Sequence, residues 1–147
     1  MRRFFAFQIA LAVISASRMQ LRTLAGRDWQ AGVMASTSSN GTGDYAPANY
    51  MGVTANDDDP DDANTSLAGE IGSGTLVRAI GVYAHTGGAQ SYTVTRTLTA
   101  DGAVTIRKIG IFTADAPGGV MFVESRLNAV AVMEDGDQVQ ITHTVYL

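Results

Sequence analysis

The chain contains no cysteine. That one absence excludes disulfide scaffolds, thiolate zinc sites and cysteine nucleophiles together. It also leaves the redox compartment open, because a chain without thiols tolerates oxidising and reducing surroundings alike. Lysine is nearly absent: of the 10 basic residues only Lys108 is a lysine. Charged residues amount to 16%, below the roughly 25% usual for soluble domains. Recognisable catalytic phrases are missing too. There is no G-x-S-x-G elbow, no H-E-x-x-H pair and no P-loop.

What is present points to strands. The 147 residues suit one domain with a sizeable core. Hydrophobic residues reach 46%, glycine numbers 16, and threonine and valine are frequent, a mixture that favours strands and tight turns over a helical bundle. The net charge of -4 conceals an asymmetry. Through residue 30 the chain carries Arg2, Arg3, Arg18, Arg22 and Arg27 against Asp28 alone, so the rest holds five basic residues (10 less 5) against thirteen acidic ones (14 less 1). The arginines of this first segment are separated by apolar residues and form no basic cluster, so nucleic acid is not an expected partner.

Phe4–Ile14 is an apolar run broken only by Gln8, behind the pair Arg2 and Arg3 and ahead of Ser15, Ala16 and Ser17. One reading is a secretory signal. Eleven residues are too few to span a bilayer, which needs about 20, so no membrane is expected. The other reading is a helix over Phe4–Leu24. Phe7, Leu11, Ile14, Leu21 and Ala25 follow one helical stripe past the small residues, with Arg18 as the exception and Gly26 as C-cap. A helix apolar all round needs a partner to cover it. We therefore expect residues 1–30 to form a hydrophobic, basic helical arm. Its docking residues would be Phe4, Phe5, Phe7, Leu11, Ile14, Leu21, Leu24 and Trp29, the last as an aromatic anchor.

Residues 31–74 form a loop region rich in Gly, Ser and Asp, with short strands around Tyr50–Val53. Gly41-Thr42-Gly43-Asp44-Tyr45-Ala46 matches a dinucleotide fingerprint in form. It lacks the preceding strand, and Pro47 follows where a helix should start, so no nucleotide is expected. Asn56-Asp57-Asp58-Asp59-Pro60-Asp61-Asp62 concentrates carboxylates. An EF-hand beginning at Asp57 needs glycine where Asp62 stands and a carboxylate where Ala68 stands, so the expectation is a solvated, self-repelling loop without metal. Asn40-Gly41-Thr42 and Asn64-Thr65-Ser66 are glycosylation sequons that matter only in a secretory pathway.

From residue 75 the period becomes two. Tyr92, Val94, Arg96, Leu98 and Ala100 alternate with threonines, and Val139, Ile141, His143, Val145 and Leu147 alternate with Gln138, Gln140, Thr142, Thr144 and Tyr146. Leu76–Ala84, Val104–Phe112 and Val120–Arg126 supply three more strands. A change of parity between Ile106 and Ile109 predicts a bulge near Arg107 or Gly110. Thr86-Gly87-Gly88, Asp101-Gly102, Pro117-Gly118-Gly119 and Asp135-Gly136 provide turns. The expected fold is mainly β: residues 75–147 as an antiparallel meander closed into a sandwich or small barrel, with the N-terminal α-helical arm.

Candidate catalytic groups are few. His143 suits a core or cross-strand position, and His85 lies near a strand end. Glu70, Glu124 and Glu134 make a glycosidase pair only if a cleft joins them. The expectation is a non-enzyme without catalytic residues, cofactor or metal.

Four phrases, taken in order, resemble a family of small bacteriophage structural proteins from about Leu21 onward. They are Thr23-Leu24-Ala25-Gly26-Arg27-Asp28-Trp29, then Tyr50-Met51-Gly52-Val53, then Thr65-Ser66-Leu67-Ala68-Gly69-Glu70-Ile71, and the alternating stretch Ile106–Leu147. Val53-Thr54-Ala55 stands where Gly-Thr-Gly is often found, and residues 1–20 lie outside the shared pattern. The resemblance implies a virion structural protein, assembled in the host cytoplasm with other virion proteins and with copies of itself. Head decoration and tail or fibre attachment both fit, and the short chain without fibre repeats favours the head. The rival from another class is an exported ligand-binding module whose signal is Met1–Ser17.

Overall fold

The computed structural model describes residues 21–23, 48–85 and 91–146. Among the described residues eight strands are formed: β1 (Leu21–Arg22), β2 (Tyr50–Thr54), β3 (Ala79–Ile80), β4 (Val82–His85), β5 (Ser91–Thr99), β6 (Val104–Phe112), β7 (Met121–Met133) and β8 (Gln138–Tyr146). Among the described residues the only helical turn is a 3-10 turn at Gly74–Leu76, and no helix is long and apolar enough to cross a membrane. The strands make two antiparallel sheets, one ordered β1-β7-β6-β2-β3 and the other β4-β5-β8. This is the expected mainly β architecture, and it is consistent with a sandwich.

The inner faces share one core. Met51, Val53, Ile109 and Ile111 of the larger sheet and Val94, Leu98, Ile141 and Val145 of the smaller are all at most 1% exposed. Each such side chain removed from water contributes about 1.5–3 kcal/mol before entropy is counted. Arg96, on the inner side of β5, ties the sheets by donating to the Met51 carbonyl at 2.9 Å and to the Thr75 carbonyl at 2.7 Å. Because β2 lies between β6 and β3, the loop region before residue 75 and the strands after it share this single body.

The meander is corrected in its connectivity. β5 pairs with β8 over its whole length, from Ser91↔Tyr146 to Thr99↔Gln138, while β6 pairs with β7. Asp101-Gly102 and Asp135-Gly136 therefore do not close hairpins; they carry the chain from one sheet to the other. The two crossings are bonded together, Ala100 N–H donating to Asp137 O at 2.9 Å and Gly136 N–H to Ala100 O at 2.9 Å. The result is one long antiparallel ribbon, β5–β6 against β8–β7, folded at a corner where both strands bend together. Gly136, at φ 83°, takes the left-handed conformation that the corner requires. The tip of the ribbon, between β6 and β7, carries Pro117-Gly118-Gly119, whereas residues 86–90 lie outside the described residues.

The bulge falls where the parity change places it, opposite Arg107. Ile106 pairs with Ala131 and Lys108 with Arg126, so residues 127–130 of β7 lie opposite Arg107 alone. A second shift between Ile111 and Phe112 leaves Phe122 as an added residue on β7, and both Phe122 and its neighbour Val123 are buried.

The helix expected over Phe4–Leu24 is corrected at its end. Leu21 and Arg22 are extended and pair with β7 in the register Leu21↔Glu124 and Arg22↔Val123. The cause is tertiary: β7 otherwise leaves backbone donors and acceptors open along that edge. Thr23 then locks the strand, its buried hydroxyl donating to Met121 O at 2.6 Å. Phe4, Phe5, Phe7, Leu11, Ile14, Leu24 and Trp29 lie outside the described residues.

Gly81 is where the chain passes from the larger sheet (β3) to the smaller (β4), its N–H donating to Asn49 O at 2.8 Å. A Cβ there meets Val94 Cγ1 at 2.5 Å and Thr95 O at 3.1 Å. Gly81→Ala is expected to lower stability by about 1–3 kcal/mol, read as a lower denaturant midpoint with an unchanged slope.

Candidate functional site

The register of the larger sheet puts Tyr50, Gly52 and Thr54 of β2, Phe112, Gly110 and Lys108 of β6, and Met121, Glu124 and Arg126 of β7 on the face turned away from the core. Such a face is ordinarily open to water. Here Thr54, Lys108, Phe112, Met121 and Glu124 are each at most 1% exposed. The segment 55–73 covers them. Leu67 joins Phe112, Met121 and Tyr50 in a second apolar cluster, Thr54 bridges to Glu70, and Ile71 N–H donates to Val53 O at 2.9 Å.

At one end of this layer two glycines make room. Gly52 and Gly110 are cross-strand neighbours. A Cβ on Gly52 meets Glu70 Oε1 at 2.3 Å, and one on Gly110 meets the Phe112 ring at 2.6 Å. The Tyr50–Val53 and Thr65–Ile71 phrases noted in the sequence therefore pack on each other, with Glu70 lying over Gly52. Glu70 is held by Arg78, whose Nε donates to Oε1 at 2.7 Å while Nη2 bonds to Oε2. The same guanidinium stacks 3.3 Å from the centre of the Phe112 ring and donates to Gly118 O at 2.7 Å.

In the middle stands a group of three. Lys108 Nζ donates to Glu124 Oε1 at 2.7 Å, both side chains being 1% exposed. The other carboxylate oxygen, Oε2, accepts from Asn64 Nδ2 at 2.9 Å. A buried ion pair holds only when its remaining hydrogen-bonding capacity is met, and Asn64, on the covering segment, supplies part of that. Sequence reasoning missed this group. Its one visible trace was the chain's solitary lysine, set between Ile106 and Ile109 in β6.

At the far end lies the acidic loop. Arg126 binds Asp57 at 2.7 Å and Asp59 at 3.4 Å, and Arg107 binds Asp57 at 3.4 Å. Asp58 and Asn56 close a local turn, Asp58 N–H donating to Asn56 Oδ1 at 2.8 Å. The loop is solvated as expected, with Asp57 65% and Asp59 80% exposed, and arginines beneath it offset part of its self-repulsion. Among the described residues no group of three or more His, Asp or Glu side chains is arranged to hold a metal ion.

The three glutamates weighed for glycosidase chemistry have different surroundings. Glu70 is on Arg78 and Glu124 on Lys108, while Glu134 sits in the corner turn, its N–H donating to Asp137 Oδ2 at 2.8 Å. His143 is 6% exposed on the inner face of β8, opposite Val94. Burial pushes its imidazole down from the ordinary 6.5 to about 4.

The outer face of the smaller sheet is different again. Thr93, Thr95, Thr97 and Thr99 face Thr144, Thr142, Gln140 and Gln138 across the β5–β8 ladder, with Thr95 and Thr142 hydroxyls 3.0 Å apart. The described residues of this face carry no charge. Exposed apolar side chains gather instead at strand edges, with Ile80 60%, Val82 72%, Tyr83 55% and Tyr146 55% exposed. Comparison with protein-family models, with curated proteins and with solved structures finds no match to this chain.

Two predictions follow the geometry. In the unfolded chain His143 takes up a proton as the pH falls below 6.5, whereas in the folded chain it does not until about 4. Its contribution is therefore complete above 6.5 and is lost on acidification through that window, to a total of roughly 3 kcal/mol. His143→Asn is expected to flatten the stability profile between pH 6.5 and 5, measured by denaturant titration at each pH. Arg126→Ala is expected to release the acidic loop, seen as faster amide exchange at 57–62. Because those pairs are solvent-exposed, it should cost less than about 1 kcal/mol of global stability.

Proposed function

We propose that this chain is a non-catalytic structural protein of a bacteriophage virion, an accessory of the head that decorates or cements the capsid. The observation that carries the reading is the order of four sequence phrases, which resembles that of small phage structural proteins. The packing of Tyr50–Val53 against Thr65–Ile71 gives two of those phrases a common structural purpose. In this reading the body is a β-sandwich, and the apolar residues before β1 form the helical arm that docks on other virion subunits.

The edges support assembly. β3 and β4 end their sheets with Ile80, Val82 and Tyr83 exposed, and β8 ends the smaller sheet with Tyr146 exposed. Edge strands with apolar side chains favour strand addition, so copies of the chain associate with one another and with capsid subunits. β1 places Leu21, the residue to which the proposed arm is joined, at the edge of the larger sheet. Tail or fibre attachment uses the same surfaces. An exported ligand-binding module is the rival reading, favoured by the sequence Arg2-Arg3 followed by Phe4–Ile14 and Ser15-Ala16-Ser17.

Deletion of residues 1–20 is expected to abolish incorporation into particles while leaving the body folded. Incorporation at the normal level by the truncated chain contradicts the docking role. A mature N-terminus near Arg18 in the native protein, read by mass spectrometry, favours the exported module over the virion arm.

A further inference from the structure

We propose that Lys108 and Asn64 become joined by an intramolecular isopeptide bond, with Glu124 as the catalytic residue that relays the protons. Lysine is almost never fully buried without a special partner, and this chain buries its one lysine to 1% exposure. The partner is not merely an anion. The two oxygens of Glu124 hold two different nitrogens, the Lys108 amine at 2.7 Å and the Asn64 carboxamide at 2.9 Å. A nucleophile and an acyl group are thereby gathered on one proton carrier, in a layer closed to water by the segment 55–73.

The chemistry balances without any outside reagent. A proton crosses from the Lys108 ammonium to Glu124, giving an amine beside a carboxylic acid. The Nζ lone pair then attacks Asn64 Cγ. Glu124 gives its proton to Nδ2 and takes one from Nζ, the Cγ–Nδ2 bond breaks, and ammonia leaves. An amine and a carboxamide have become a secondary amide and ammonia, with Glu124 left protonated and nothing oxidised or reduced. Attack requires Nζ within about 3–3.5 Å of Cγ. Asn64 closes the turn from Asp61, its N–H donating to Asp61 O at 3.1 Å, and the reaction requires its carboxamide to turn on that fixed backbone until Cγ comes within this reach of Nζ.

The reaction happens once per molecule and consumes no external substrate, so it is compatible with a structural role and does not depend on it. Its product staples the covering segment to β6 in a chain that has no cysteine for a disulfide. Cross-linking residues 64 and 108 closes a long loop, which restricts the unfolded ensemble in the same way as a disulfide of that span.

The test is the intact mass of the purified full-length protein, followed by a tryptic map. The expected mass is that of the sequence less one ammonia. The map should contain a branched peptide joining the segments of Asn64 and Lys108, with no cleavage after Lys108. Asn64→Ala, at a half-buried loop position, and Glu124→Gln are both expected to show their full sequence masses and normal cleavage at Lys108. The Asn64→Ala comparison stands if Glu124→Gln fails to fold. A wild-type chain of full mass that is cut after Lys108 overturns the proposal. So does an ammonia deficit that maps to a succinimide at Asn64, or one that persists in Asn64→Ala. A bond that still forms in Glu124→Gln overturns the relay assigned to Glu124. None of these outcomes bears on incorporation into particles, so the two proposals fail separately.

Discussion

A lysine and a glutamate on neighbouring strands, both turned away from the hydrophobic core, present a folding problem with few solutions. Left open, Lys108 and Glu124 would be an ordinary surface pair of small energetic value. Once covered, they need every remaining hydrogen bond satisfied, because a buried charge without partners costs several kcal/mol. The segment 55–73 meets that demand: Asn64 answers Glu124, Leu67 fills the apolar gap beside Phe112, and Glu70 reaches Arg78 over the Gly52–Gly110 window. The larger sheet is consequently packed on both faces, one apolar and one in which the Lys108–Glu124 pair lies beside a smaller apolar cluster. Its loop is a structural layer and not a mere connection.

The other face depends on the corner. Ala100 and Gly136 bond the two crossings to each other, so the ribbon of β5–β6 and β8–β7 folds as a unit and brings Val94 and Ile141 onto Ile109 and Met51. Arg96 then reaches across the seam to the Met51 carbonyl. His143 sits within the smaller sheet's contribution to this core. Its burial as a neutral ring makes the seam sensitive to acid.

Much of this was legible in the residues. Half-buried strands have a period of two, so β5, β6 and β8 could be read from alternation, and the parity change at Ile106–Ile109 announced the bulge opposite Arg107. Connectivity was not legible. Asp101-Gly102 and Asp135-Gly136 have the same turn chemistry whether they close a hairpin or carry a chain between sheets, and only the pairing of β5 with β8 decides it. Leu21 fits a helical stripe, yet the open edge of β7 draws it into a strand. The polar layer was hidden for a related reason. An acid-rich loop shows that it is solvated but not that Arg107 and Arg126 hold it from beneath, and a lone lysine reads as exposed until its cover is known.

The proposed function joins a body of two sheets, with apolar side chains exposed at their edges, to the proposal that the order of its sequence phrases is that of a phage structural protein. Its central claim is that the chain is a stoichiometric part of a particle. The most direct measurement is a cryo-electron microscopy map of purified virions at a resolution that distinguishes β-sheet layers. The account predicts density for the folded ribbon at symmetry-related positions on the head, with the β1 edge of the larger sheet turned toward the capsid. Particles whose density is fully explained by other subunits, with this chain absent from them, would contradict it.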